Sequence, residues 1–158
     1  MSTLVIGIGN RDRGDDAVGL EVADHLRRLG TDAVIITWQG PDVDLLDVVR
    51  GFDRVIIIDA MHSGARPGTI RHFVRGRDPL PGGTSIGSSH ALGLQAVLEL
   101  AAALGIEIDW ELYAIETEDV GYDRPLSPGA DTAAATLARQ LHAELDAKRP
   151  VGPQPATT

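Results

Sequence analysis

Residues 54–59, Arg-Val-Ile-Ile-Ile-Asp, constrain the fold more than any other stretch. The apolar run within them is continuous and β-branched, without the alternation of a half-buried strand, so both faces are expected to be covered. That is the mark of a central strand in a parallel sheet, and such a strand needs neighbours reached through crossovers. The rest of the chain supplies them. Residues 3–8, Thr-Leu-Val-Ile-Gly-Ile, read as another buried strand. A helix from about Ala17 to Arg28 follows, with Val18, Val22, Leu26 and Leu29 at helical spacing. Residues 33–38 make a further strand, broken by Gly40-Pro41, and Pro41 suits the first turn of a short helix through Val49. Pro67-Gly68 lies in the loop before an alternating edge strand at 69–74, and the Gly- and Pro-rich stretch 75–88 reads as a long loop. A helix from Ser89 to Leu104, a strand at 108–115, a polar loop at 116–127 and a helix from Pro128 to Ala147 complete a single domain over 1–147. The tail, 148–158, is Pro-rich and is expected to be disordered.

Strands alternating with helices predict a three-layer α/β/α sandwich on a mostly parallel sheet. The expected order is flavodoxin-like, with strand one beside strand three, and ligands in such sheets bind beyond the carboxyl ends of the strands at the switch point. Composition removes several function classes. The 158 residues include no cysteine, which excludes a disulfide framework, a thiolate zinc site and a Cys nucleophile. A net charge of −9 with 4% aromatics argues against nucleic-acid or anionic-membrane partners. No apolar run reaches the roughly 18 residues of a membrane span. Met1 to Gly9 runs straight into strand-like sequence, so no signal peptide is expected and the cytoplasm is the expected compartment.

The candidate chemistry gathers at the predicted carboxyl rim. The first loop carries Gly7-Ile8-Gly9-Asn10 and Asp15-Asp16, the loop after strand three begins at Asp59-Ala60-Met61-His62, and a helix opens at Ser88-Ser89-His90. Asp16, Asp59 and His90 would meet there, and two carboxylates with an imidazole can hold a divalent first-row metal with positions left open. Asp16 taken alone is a helix N-cap candidate, a role that falls to Asp15 if Asp16 points into the cleft. Asp59 closes so apolar a run that it should be paired or liganded. His90 near a helix start should stay neutral, which suits a ligand and equally an idle core histidine. His62 and His72 look less well placed. The Gly7-x-Gly9 pair is not a dinucleotide fingerprint, because Asp12 stands where a third glycine is needed. A P-loop is excluded, since the only lysine is Lys148. Ser85, Ser88 and Ser89 lie near His90, but no Gly-x-Ser-x-Gly elbow exists.

In order and spacing over roughly residues 3–145, these motifs resemble the maturation endopeptidases of nickel–iron hydrogenases. The matching residues are Gly7-Ile8-Gly9-Asn10, Asp15-Asp16-Ala17-Val18-Gly19, Asp59-Ala60, Pro67-Gly68-Thr69, Ser88-Ser89-His90-Ala91-Leu92-Gly93-Leu94, Ile115-Glu116 and Leu126-Ser127-Pro128. The resemblance implies a phosphorylase/hydrolase-like sheet of five strands, mostly parallel and twisted, with an antiparallel edge. It implies an endopeptidase that removes the C-terminal extension of the hydrogenase large-subunit precursor after nickel insertion. Asp16, Asp59 and His90 become the nickel-contacting residues, the metal being presented by the precursor, with Asp16 and Asp59 also the catalytic acids. Substrate contacts are expected at Gly9, Asn10, Gly40 and Gly93, and a monomer is expected. The metal can orient the tail, polarise the scissile carbonyl or activate a water, and Asp16 or Asp59 can alternatively act as general base. Three other classes compete: a non-catalytic nickel- or precursor-binding chaperone of the same fold, a small nucleotide-binding regulator, and a related peptidase acting on an unrelated precursor.

Overall fold

A computed structural model describes residues 1–40, 44–79 and 91–148. Strands β1 (Thr3–Ile8), β2 (Val34–Trp38), β3 (Arg54–Met61), β4 (Ile70–Val74) and β5 (Asp109–Glu116) form one five-stranded sheet in the order β2-β1-β3-β5-β4. β1 pairs parallel with β2 and β3, and β3 with β5, whereas β4 runs antiparallel to β5 at the edge. The helices are α1 (Val18–Leu29), α2 (Leu45–Val49), α3 (Ala91–Ala103) and α4 (Pro128–Ala147). β1 lies beside β3 as expected. The order departs from the flavodoxin pattern at one place, where β5 inserts between β3 and β4. Burial explains it: Arg71 and His72 of β4 are exposed, which suits a sheet edge, while β5 is buried over its last five residues and suits an interior position. Residues 41–43 and 149–158 lie outside the described residues, so neither the start of the short helix at Pro41 nor the expected disorder of the tail is described.

The period of two along the strands divides the core into two layers. Leu4, Ile6 and Ile8 of β1 with Val55, Ile57 and Met61 of β3 pack under Leu45 and Val49 of α2 and Leu94, Leu98 and Ala101 of α3. Val5, Ile56, Ile58 and Ala60 face the other way, onto Val18, Val22 and Leu26 of α1 and Ala134, Leu137 and Leu141 of α4. Among the described residues, no helix is long and apolar enough to cross a membrane.

One charge network crosses the second layer where β3 begins. Arg54 is buried, with Nη2 2.7 Å from Glu111 Oε1 and 2.5 Å from Glu144 Oε1. Glu111 Oε2 in turn lies 3.1 Å from His72 Nε2, and the His72 ring stacks on Tyr113 at 4.2 Å. Burial disfavours the Arg54 cation, but its hydrogen bonds to Glu111 and Glu144 outweigh that and hold its pKa above the ordinary value. Burial raises Glu144, and the hydrogen bonds from Arg54 and Lys148 overcome it, leaving Glu144 below its usual range. Burial, followed by the nearby Glu144 and Glu111 charges, lifts the Tyr113 hydroxyl to about 12.

Candidate active site

The turn after β1 is built by backbone touching backbone. A Cβ on Gly9 would sit 2.0 Å from the Asp16 carbonyl oxygen, and one on Gly19 would sit 2.4 Å from that of Ile58 and 2.5 Å from that of Ile8. Real Cβ atoms do not approach so closely, so both positions demand glycine. The Gly7-x-Gly9 pair and Gly19 are thus explained by this close approach, which seats the start of α1 across the ends of β1 and β3. Asn10 shapes the loop. Its side-chain oxygen accepts from the Asp12 N–H at 2.9 Å, and its own N–H donates to the Asp16 carbonyl at 3.2 Å. A single turn of 3₁₀ helix, Gly14–Ala17, then carries the paired acids.

Asp15 and Asp16 have different surroundings although both are buried. Asp15 Oδ1 accepts from the Ser127 N–H at 2.7 Å, and Oδ2 accepts from the Ser127 hydroxyl at 2.7 Å and the Glu118 N–H at 2.8 Å. The expected capping of α1 by Asp15 does not occur, because the Ala17 N-cap position has no side-chain bond. Asp15 instead ties the turn to the loop before α4, where Ser127 caps the helix by accepting from Ala130 N. Asp16 lines a cavity of about 110 Å³ with Ala60, Met61, His62, Thr117 and Val120.

Asp59 is fully buried, and its position differs from the one expected. It does not end β3. The strand continues through Met61, with Asp59 opposite Ala114 of β5. The reason is that Ala60 and Met61 are themselves buried and extend the apolar strand past the acid. Asp59 Oδ1 accepts from the Ala60 N–H at 2.8 Å. By alternation it shares the sheet face of Val55, Ile57 and Met61, which α2 and α3 cover. His90 and the serines at 85, 88 and 89 lie outside the described residues, and Gly93 falls in the first turn of α3. Gly40 stands just beyond β2, near the Trp38 indole. Among the described residues, no group of three or more His, Asp or Glu gathers to hold a metal ion.

Three residues acquire a place here that sequence reasoning withheld or left undefined. His62 lines the Asp16 cavity, and the signal was its position directly after the extended strand. Glu116 is buried and accepts from the Ser63 N–H at 2.9 Å, the Ser63 hydroxyl at 2.7 Å and the Gly64 N–H at 3.0 Å. It fixes the loop that carries His62. Thr117 closes the same corner, donating its N–H to the Met61 carbonyl at 2.9 Å.

Comparison with known proteins gives consistent findings. A family model described as hydrogenase maturation protease matches residues 40–144. The hydrogenase expression/formation protein HupD of Thiocapsa roseopersicina is 32% identical over 105 residues, which are 65% of this chain and 48% of that protein. The chain spans about half the length of the curated relatives it matches. Among solved structures, the [NiFe] hydrogenase maturation protease HycI from Thermococcus kodakarensis is 27% identical with a TM-score of 0.74, covering 92% of each chain. The hydrogenase maturating endopeptidase HybD from E. coli is 25% identical with a TM-score of 0.78, covering 93% of each chain.

Proposed function

The chain belongs to the hydrogenase maturation protease family, and from that premise we propose that it is an endopeptidase. Its substrate is the large-subunit precursor of a nickel–iron hydrogenase, from which it removes the C-terminal extension once nickel is in place. The observation that carries this reading is Asp16, a buried carboxylate opening onto a cavity over the ends of β3 and β5. The nickel belongs to the substrate. We assign its contacts to Asp16, Asp59 and His90, an oxygen-rich and incomplete ligand set that binds a lone ion only modestly. Such a set suits a metal whose remaining ligands come from the precursor. In the alternative arrangement, with one carboxylate freed from the metal, Asp16 or Asp59 is the general base that accepts the proton of the attacking water. Gly9, Asn10, Gly40 and Gly93 are assigned as substrate contacts.

The test is a processing assay with the full chain and a precursor supplied either metal-free or nickel-loaded, followed by mass spectrometry of the released extension. Cleavage of the loaded precursor alone is expected. Efficient cleavage of the metal-free precursor removes the metal-recognition part of this reading. Binding of the loaded precursor without release of the extension removes the endopeptidase and leaves the chaperone.

A further inference from the structure

The three arginines of the loops beside the cavity have unequal surroundings. Arg11 is paired, with Nη2 2.6 Å from Asp24 Oδ2, and Arg124 Nε lies 3.9 Å from Asp119 Oδ2. Arg13 is half-buried, and its Nε is shielded from solvent with no hydrogen-bond partner. Among the described residues it makes no ion pair, although Asp12 and Asp123 are close at hand, the Asp123 N–H donating to the Asp12 carbonyl at 2.8 Å. Its guanidinium stands instead over the exposed Tyr122 ring, 5.3 Å from the centroid. An aromatic face attracts a cation without neutralising it, so the charge of Arg13 and its Nη donors remain available to an anion.

The position gives that anion a context. The Arg13 carbonyl accepts from the Asp16 N–H at 3.0 Å, and Val120, two residues before Tyr122, lines the Asp16 cavity. Asp16 and Asp59 are buried nearby, and Asp12, Glu118 and Asp119 are exposed on the same loops. Such a rim repels a carboxylate unless a cation receives it. A guanidinium matches a carboxylate with two parallel hydrogen bonds, which an ammonium does not.

We propose that Arg13, braced on Tyr122, is a substrate-binding residue that takes a carboxylate of the precursor's C-terminal extension at the lip of the Asp16 cavity; this rests on the processing reading above. The carboxylate comes either from the chain terminus of the extension or from an acidic side chain within it.

The test compares the full-length wild type with Arg13→Gln, Arg13→Lys and Tyr122→Leu in steady-state processing of nickel-loaded precursor, with thermal melts to establish that each variant folds. Arg13→Gln is expected to raise KM about tenfold and to leave kcat within about twofold. Arg13→Lys should fall between, keeping the charge and losing the fork. Synthetic extension peptides serve as competitors, with a free C-terminus, an amidated C-terminus, or acidic side chains converted to amides. The change that weakens competition against wild type but not against Arg13→Gln identifies the source of the carboxylate. An unchanged KM in a folded Arg13→Gln overturns the assignment, as does a peptide series that affects both proteins equally. Wild type that fails to process the precursor at all removes the processing reading and this inference together, whereas active wild type with an indifferent Arg13→Gln removes the inference alone.

Discussion

Buried charge is handled in opposite ways at the two ends of this sheet. Where β3 begins, the buried Arg54 cation is met directly by the opposite charges of Glu111 and Glu144. At the carboxyl ends, Asp15 and Glu116 are held by backbone N–H groups and serine hydroxyls of neighbouring loops. Dipoles stabilise a carboxylate without removing its charge. The amino end is thereby finished as a structural joint, and the carboxyl end keeps a negative rim around the Asp16 cavity. A protein using both devices shows that burial of charge alone does not mark a functional site; what surrounds the charge does.

The strongest way to break this contrast is to neutralise the rim. Asp16→Asn and Asp59→Asn should each lower processing of nickel-loaded precursor by about a thousandfold, with melting temperatures within a few degrees of wild type. Collapse of both folds would make these acids structural, like those at the amino end. Next in size is the joint itself. Arg54→Ala leaves two carboxylates facing an empty place and should cost about 3 kcal/mol in urea unfolding, while the folded fraction processes normally. Asp15→Ala sharpens the contrast from inside the rim. It orphans the Ser127 and Glu118 N–H groups and should cost about 2–3 kcal/mol, a stability loss at a site next to one that should have none.

Smaller effects follow from titration. Glu144 has a lowered pKa, so its contribution is fully present above its ordinary value near 4.5 and is lost as pH falls through the folded value. Glu144→Gln should flatten the acid limb of a urea-midpoint-against-pH curve, and an unaltered limb would show the ion pair to be idle. Tyr113 is the reverse case. With its hydroxyl raised to about 12, its contribution holds below 10 and fades as pH rises toward the folded value. Ultraviolet titration should show a late-ionising tyrosine that Tyr113→Phe removes.

Much of the fold was legible because its signals are local. The β-branched run of β3, the helical spacing in α1 and the exposed Arg71 and His72 of the edge strand each need only a few neighbouring residues to be read. The site was legible in its residue types and less so in its geometry. The acid at 59 looked like a strand end because charge usually stops an apolar run, yet Ala60 and Met61 carry β3 onward. Asp15 fitted a local N-cap, but its partners lie 103 and 112 residues away, beyond any local rule. The Arg54 network joins β3, β5 and α4 and exists only once the sheet order is known.

The bonds of Asp15 also have a meaning in time. Its partners Glu118 and Ser127 are made 103 and 112 residues after it in synthesis, and Ser127 is the residue that caps α4. A nascent chain that stops short of Glu118 can form the β1–β3 pairing but lacks the partners that tie the Asp15 side chain, and with it the turn bearing Asp16, to the far loop. Loop closure over more than a hundred residues also comes late in folding, after the local contacts. The rim is therefore among the last parts of the molecule to set, and a half-made or half-folded copy carries the acids without the geometry. For a chain assigned to cut another protein, that delay keeps the cutting edge blunt until the whole tool exists.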